Sequence, residues 1–413
     1  MVTFEKTKLT NGLTVLVHRD RHTPIVAMNL IYQVGSKNED PGQTGFAHLF
    51  EHLMFGGSVN IPKYDIPLER AGGENNAFTN SDYTNYYLTF PKNNLETAFW
   101  LESDRMLGLE FSQRSLDVQK QVVIEEFKQN YLNQPYGDVY LLLKPLAYKV
   151  HPYRWSTIGR EISHIESATL DHVKTFYQQH YNPDNAILSI AGDVTPDEVF
   201  KLAEHWFGPV PAANLVAESY PGEPIQKEAR RLSVYRDVPQ NALYMAWHMP
   251  ARRDPGYYIT DLISDVLSNG HSARLYQNLV KEKKLFTDLT AFISGDIDTG
   301  LFIITGKLMD GVSMEEAEAA IWTELKHLAT DLITEEELIK IKNKIEANLI
   351  FSRMPVLNKA MNLGYFEMLG DAAAMNDEVN KYQRITREDI ADQARSMLVE
   401  SKQNTLTYYA QSK

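Results

Sequence analysis

The chain has 413 residues, of which 43% are hydrophobic and 23% are charged, and its formal net charge is −13. This composition is typical of a globular protein, and the length is sufficient for two large domains. The negative charge argues against nucleic-acid binding, which needs a basic face. Because the chain contains no cysteine, disulfides, cysteine-ligated metals and cysteine nucleophiles are excluded. Any metal must be held by His, Asp or Glu.

The sequence contains no membrane-spanning segment. Residues 1–6 form no apolar signal region, and no run of about 20 apolar residues occurs. We therefore expect a soluble protein without membrane insertion, located in the cytoplasm rather than the periplasm. A targeting peptide removed before this sequence begins would change the expected compartment.

The first half opens with two strands, at 13–18 and 25–34, both rich in β-branched residues and bounded by turn residues. Further strands are predicted at 83–90 and 185–191. The predicted helices lie near 94–108, 115–132, 137–147, 169–179 and 196–206. This order of elements is typical of an α+β fold.

The middle of the chain is marked by a linker. Residues 208–228 contain several prolines separated by small and charged residues, a composition that interrupts regular structure. We predict a first domain at 1–212, a linker at 213–229 and a second domain at 230–413.

The second half repeats the element order of the first. Strand-like stretches at 230–236 and 241–248 precede a helix at 256–268, and aligning Gly57 with Gly270 gives an offset of 213 positions. The shared order predicts an internal repeat. We expect an α+β fold of two structurally similar halves, each a mainly antiparallel sheet with helices packed on one face.

A short apolar run at 45–55 carries three polar side chains, His48, Glu51 and His52. Residues three and four apart share a helical face, so the imidazoles point the same way with the carboxylate beside them. Two satisfied core histidines are the weaker explanation, because burying these groups without a shared partner is costly. Such a pair can bind one zinc ion and leave the carboxylate to act on the water that zinc activates. At the offset of 213, the corresponding positions are Asp261, Ser264 and Asp265, so we expect one zinc ion per chain, in the first domain.

The third ligand is expected on the helix at 115–132, because hydrolytic zinc usually takes three protein ligands. Glu126 shares an otherwise apolar helical face with Val122 and Val123, whereas Glu125 points elsewhere. Spacing alone leaves open a second interpretation, in which the two glutamates are a solvated surface pair.

The pattern H-x-x-E-H at 48–52, with Glu126 following 74 positions after His52, resembles the inverted-zincin metallopeptidases of the pitrilysin type. This family includes insulin-degrading enzyme and the mitochondrial processing peptidase, and the resemblance covers essentially the whole chain. It implies that His48, His52 and Glu126 hold Zn²⁺ and that Glu51 is the general base. The implied function is that of a zinc-dependent endopeptidase acting on peptides or unfolded segments.

The resemblance also extends to the glycine-containing stretch 72–79. Asn76, Ala77 and Phe78 match the edge strand on which family members bind the substrate as an added strand. This mode of binding recognises the peptide backbone more than its side chains. The alternative interpretation is a plain junction between a loop and a strand.

Two positions depart from the family pattern. Seven residues before the third ligand, members usually carry a glutamate that supports the metal site, but this chain has Gln119, whose amide can hydrogen-bond a ligand without adding charge. In the C-terminal half, single-chain and homodimeric members carry an Arg and a Tyr that bind substrate, and here these positions are Val280 and Thr287. Arg274 is not counted as a substitute, because a packing role at the start of an amphipathic helix explains it.

An intact metal motif without the Arg and Tyr resembles the catalytic subunit of bacterial heterodimeric members. In those enzymes a homologous subunit without the zinc motif supplies the Arg and Tyr across a closed chamber. The expected partners are therefore peptide substrates and such a non-catalytic subunit. The alternative is a structural or partner subunit that retains the peptidase fold without catalysis.

Overall fold

The computed structural model describes residues 1–213 and 219–411. Residues 214–218 of the predicted linker lie outside the described residues. The chain divides into two compact units: the first comprises Met1–Lys128, Trp155–Tyr220 and Ile350–Asp377, and the second comprises Gln129–Arg154, Pro221–Leu349 and Glu378–Lys413. The predicted division into 1–212, 213–229 and 230–413 follows the chain rather than these contacts and stays a prediction.

The first unit is built on one mixed sheet. Its strands within the described residues are β1 (Glu5–Lys8), β2 (Thr14–Arg19), β3 (Ile25–Tyr32), β4 (Glu74–Thr79), β5 (Thr84–Pro91) and β6 (Ala186–Gly192). The strand order is β1-β2-β6-β3-β5-β4. Neighbouring strands are antiparallel except for the parallel pair β2 and β6.

The second unit is built on a similar sheet. Its strands within the described residues are β7 (Arg230–Arg236), β8 (Ala242–His248), β9 (Phe286–Ile293), β10 (Leu301–Leu308) and β11 (Asn404–Ala410). The strand order is β7-β11-β8-β10-β9, and only the pair β7 and β11 is parallel.

The two sheets share one topology. In the first sheet β6 lies between β2 and β3, and in the second sheet β11 lies between β7 and β8. A hairpin completes each sheet, so that β2-β6-β3-β5-β4 corresponds to β7-β11-β8-β10-β9. Gly57 and Gly270, which follow equivalent helices, both adopt positive φ angles of 113° and 97°. The predicted α+β fold of two similar halves is confirmed.

The helices within the described residues are α1 (Phe46–Leu53), α2 (Asp65–Arg70), α3 (Leu95–Leu107), α4 (Gln113–Phe127), α5 (Val139–Ala147), α6 (Ile162–Glu166), α7 (Leu170–His180), α8 (Pro196–Phe207), α9 (Gly256–Ser268), α10 (Met314–Thr330), α11 (Glu335–Ser352), α12 (Val356–Met368), α13 (Glu378–Gln383) and α14 (Arg387–Met397). Among the residues that the structure describes, no helix combines the length and the apolarity needed to cross a membrane.

The first sheet carries helices on both faces. Successive side chains of a strand point to opposite faces. Tyr32 at the end of β3 packs against Tyr181, which follows α7. On the other face, Ala27 of β3 and Ala191 of β6 pack against Ala360 of α12.

The second sheet is covered in the same way. One face buries Leu243 and Met245 of β8 with the core of α9 and α10. The other face buries Ala242 and Ala246 with α5. In each sheet, the helix on this second face comes from the other half of the chain. Helix α12, which packs on the first sheet, follows β10, and α5, which packs on the second sheet, precedes β6. The sequence predicts helices on one face of each sheet, and these two helices cover the second face.

A buried ion pair lies on α3 in the first unit. Arg105 and Glu102 on α3 are each about 1% exposed, and Arg105 Nη2 lies 2.6 Å from Glu102 Oε2. The guanidinium also lies 4.3 Å from the ring centre of Tyr86 on β5 and 4.8 Å from that of Tyr64. Removing either residue would leave the charge of the other buried and uncompensated, which would destabilise the folded protein.

Replacing Arg105 with Ala is expected to destabilise the protein by about 3–5 kcal/mol, because the Glu102 carboxylate remains buried without its partner. The measurement is the free energy of unfolding from chemical denaturation. Arg395→Ala is the matched control, since Arg395 and Asp392 form an exposed pair of the same i, i+3 spacing, and it should cost less than about 0.5 kcal/mol. Equal losses in the two variants would contradict the prediction.

Candidate metal centre

Helix α1 separates an apolar face from a polar one. Leu49, Phe50 and Leu53 are buried, and the ring of Phe50 stacks on Tyr181 with centroids 5.1 Å apart. The polar residues at positions 48, 51 and 52 are only partly exposed. The predicted arrangement of two imidazoles and a carboxylate on one side of this helix is therefore present in the structure.

Helix α4 supplies the acidic residue. Its N-terminus is capped by the side chain of Ser112, and Val123 and Phe127 anchor its buried face. Glu125 points away, with a 66% exposed side chain that lies 2.8 Å from Lys128 Nζ. Glu126 instead turns towards α1. The helical phase had favoured Glu126 over its neighbour, and the structure distinguishes the two in the same way.

The three predicted ligands converge. Nε2 of His48 lies 3.7 Å from Oε2 of Glu126, and Nε2 of His52 lies 3.5 Å from the same atom. The two imidazole rings are nearly perpendicular, with centroids 4.9 Å apart. Within residues 1–213 and 219–411, this is the one group of three or more His, Cys, Asp or Glu residues whose ligand atoms all lie within 4.8 Å.

The donor set fits zinc. Ligand atoms about 2.0–2.2 Å from a tetrahedral zinc ion are about 3.3–3.6 Å apart, close to the two N···O distances. Two imidazole nitrogens and one carboxylate oxygen are the ligands of many hydrolytic zinc sites, which keep a fourth position open. The two distances from Glu126 to the imidazole nitrogens are therefore already close to those of a zinc-bound set.

Burial sets the protonation of the site. It lowers the pKa of His48 to about 4, although the Glu126 charge opposes this shift. The imidazole is then neutral at pH 7, the form that binds metal. Burial also raises the pKa of Glu51, while hydrogen bonds from the side chain and backbone of Thr79 oppose the rise. A carboxylate with a raised pKa is a better proton acceptor than an ordinary glutamate.

The predicted substrate strand is β4. It is the last strand of its sheet and pairs on one side with β5. Asn76, Ala77 and Phe78 lie inside this strand rather than at its start. The N–H of Ala77 donates to Asn76 Oδ1 at 2.8 Å. Their role in binding stays a prediction, and the free strand edge supports it.

Gln119 lies on α4 and is partly buried. Among the described residues, no hydrogen bond joins its amide to a metal ligand, and Nδ1 of His48 is buried without a partner. The expected support of the ligands by Gln119 stays a prediction. Arg274, which the sequence left outside the site, forms a two-bond pair with Glu337 at 2.9 and 3.0 Å, in keeping with a packing role.

Sequence reasoning missed two residues. Thr79, at the end of β4, contacts the Glu51 carboxylate. Glu39 is buried and accepts hydrogen bonds from the N–H groups of Gly45 and Ala47 at the start of α1. Burial raises the pKa of Glu39 to about 8, and these N–H groups oppose the rise. A carboxylate shortly before a helix was the available signal.

The sequence matches two family models. One, described as "Insulinase (Peptidase family M16)", covers residues 14–159, and the other, described as "Peptidase M16 inactive domain", covers 167–345. "Zinc protease PqqE" of Helicobacter pylori is 31% identical over 352 residues, which span 84% of this chain and 79% of that protein. This chain belongs to peptidase family M16. The site residues lie in the part matched by the first description.

Two further comparisons, one of sequence and one of structure, agree with this assignment. "Probable mitochondrial-processing peptidase subunit beta" of Schizosaccharomyces pombe is 24% identical over 414 residues, 95% of this chain and 88% of that protein. A crystal structure of a protease from Helicobacter pylori matches with a TM-score of 0.93 and 27% identity, covering 99% of this chain and all of that one. The predicted resemblance to the pitrilysin-type peptidases is confirmed at the level of the family.

Acid is expected to destabilise the zinc-free protein through His48. Its pKa is about 4 in the folded chain against an ordinary value of 6.5, so the unfolded chain binds more protons between these values. The free energy of unfolding therefore falls as the pH drops from 6.5 to 4. In His48→Asn this acid-induced loss should be smaller by about 1–3 kcal/mol.

Urea denaturation in a chelator at several pH values between 4 and 7 measures the effect. Parallel pH profiles for the wild type and His48→Asn would contradict the prediction.

Proposed function

We propose that the protein is a zinc-dependent endopeptidase that hydrolyses peptides or unfolded segments. The observation that carries this proposal is the convergence of His48, His52 and Glu126, with ligand atoms within 4.8 Å, beside the partly buried carboxylate of Glu51. Membership of peptidase family M16, whose relatives include proteins named zinc proteases, supports the same chemistry.

Each residue has a defined role in the proposed reaction. The two imidazoles and Glu126 hold the ion. Zinc bound there supplies Lewis-acid chemistry that activates a water and polarises the peptide carbonyl. Glu51 takes the proton of the attacking water and passes it to the leaving amine. Thr79 holds the Glu51 carboxylate in place by the hydrogen bonds that oppose its raised pKa.

The substrate binds to the free edge of β4 in this proposal. Its backbone N–H and C=O groups pair with those of residues 76–78, which extends the sheet by one strand. Thr79 connects the end of this strand to Glu51, so strand addition brings the peptide backbone to the general base. Selection then depends on whether a segment can become extended, which favours peptides and unfolded regions.

The protein acts as one half of a heterodimer in this proposal. Val280 packs against the apolar core of the second unit, and the Thr287 hydroxyl lies 3.3 Å from the carbonyl oxygen of Lys307. Neither supplies the cation or phenol that single-chain members place there. A homologous subunit without the metal motif would provide both groups. The M16 relative from Schizosaccharomyces pombe, named as a subunit beta, fits this assembly.

Metal analysis and peptide cleavage test the site together. The wild type should bind one zinc ion per chain, and Glu126→Gln should lose it because a charged ligand is removed. Glu51→Gln should retain zinc and lose about 100- to 10,000-fold in kcat, the usual contribution of a general base. Zinc content is measured by atomic spectroscopy, and cleavage is measured on an unstructured fluorogenic peptide.

Glu125→Gln is the matched control, because Glu125 is adjacent on α4 but exposed and paired with Lys128. It should keep both zinc and activity. A wild type without zinc would favour the alternative, a non-catalytic subunit that retains the peptidase fold.

The heterodimer is tested by activity with and without a partner. The purified chain should bind zinc but cleave the peptide slowly, since the Arg and Tyr are missing. Adding a homologous M16 chain that lacks the zinc motif and carries both residues should raise kcat/KM by at least about 100-fold, as for a lost oxyanion-type donor. Full activity of the chain alone, unchanged by the partner, would contradict the assembly.

A further inference from the structure

The metal-bearing helix α1 lacks a cap of its own. The residue at its N-terminal boundary is Gly45, with φ of 92° and no side chain to accept a hydrogen bond. The first N–H groups of a helix have no partner within the helix, and Ser, Thr, Asp or Asn at the boundary usually supplies one. Several other helices follow that rule: α4 with Ser112, α7 with Thr169, α8 with Thr195, α10 with Ser313 and α14 with Thr386.

Glu39 takes the place of this cap from six residues upstream. Its side chain is 5% exposed. Oε2 accepts the N–H of Gly45 at 3.0 Å, and Oε1 accepts the N–H of Ala47 at 2.9 Å. Both carboxylate oxygens are thus used on the first turn of α1.

The segment that carries Glu39 is itself fixed. It follows a short turn at Ser36–Asn38, where the carbonyl oxygen of Ser36 accepts the indole N–H of Trp155 at 2.8 Å. Asn38 Oδ1 accepts the N–H of Gly35 at 2.9 Å. The backbone before Glu39 is therefore held by contacts outside α1.

The opposite side of the same turn is held by a second set of contacts. Thr44 Oγ1 accepts the N–H of Arg160 at 2.8 Å, and the N–H of Thr44 donates to Nδ1 of His164 at 3.2 Å. A Cβ at Gly45 would lie 2.8 Å from the carbonyl oxygen of Ile158. The N-terminus of α1 thus contacts Glu39 on one side and the segment 158–164 on the other.

We propose that Glu39 is a positioning residue that sets the zinc affinity of the site by fixing α1 against α4. The inference rests on the proposed metal site. Helix α1 has only eight residues, so the position of its first turn determines where His48 and His52 lie. The third ligand, Glu126, comes from a different helix, and small errors in this relative position separate the ligand atoms.

Glu39→Gln tests the proposal with little change in shape. The amide keeps one acceptor oxygen, but its NH₂ group faces a backbone N–H and cannot accept from it. The zinc dissociation constant should rise about 10- to 100-fold, the range found when groups supporting metal ligands are changed. It is measured by competition with a chromogenic chelator, which requires no peptidase activity.

Thr195→Ala is the matched control. It removes the side-chain cap of α8, which carries no site residue, within the same unit. It should lower the melting temperature of the metal-free protein by an amount comparable to Glu39→Gln and leave the zinc dissociation constant within about twofold. This contrast separates positioning from general stability, because cap losses are similar in size.

Thr44→Val provides a second route if Glu39→Gln does not fold. It removes the hydroxyl contact to Arg160 on the other side of the turn and should weaken zinc binding in the same direction. Unchanged zinc affinity in a folded Glu39→Gln or Thr44→Val protein would overturn the proposal, as would equal weakening in Thr195→Ala. A wild type that binds no zinc, or that binds zinc without cleaving peptides even when the homologous partner chain is added, would instead refute the proposed function.

Discussion

The meeting of one carboxylate with two imidazoles from another helix is the interaction on which the candidate site depends. Glu126 Oε2 lies 3.5 Å and 3.7 Å from the Nε2 atoms of His52 and His48. Burial lowers the pKa of His48, so this imidazole stays neutral at pH 7. A divalent cation would pair with the carboxylate and take the neutral imidazole as a ligand. The arrangement of these three side chains therefore supports the proposed zinc site.

Thr79 connects the candidate metal site to the edge strand. Thr79 ends β4, the edge strand, and hydrogen-bonds to Glu51 on α1. A peptide added to the edge would run alongside residues 76–78 and meet the same end of the strand. Helix α1 thus positions Glu51 and the two histidines next to β4, and α4 adds Glu126. A displacement of α1 would change metal geometry and base geometry together.

Periodicity predicted the local features of the site. The spacing of residues 48, 51 and 52 places them on one helical face, and the phase of α4 separates Glu126 from Glu125. Two features lay beyond that reasoning. The cap from Glu39 spans a turn whose path no local pattern specifies, and α12 and α5 exchange between sheets although chain order assigns each to the other half. Both depend on tertiary packing, which sequence periodicity does not encode.

Helix α9 of the second half corresponds to α1 but lacks the metal motif. Asp261 on α9 accepts the hydroxyl of Tyr382 at 2.6 Å, and Asp265 accepts the Asn269 amide. Burial raises the pKa of both carboxyls, and each accepts a hydrogen bond from within the same unit. Val280 likewise serves packing. An apolar side chain thus meets the packing needs of that position, and the proposed heterodimer takes its arginine from the other subunit.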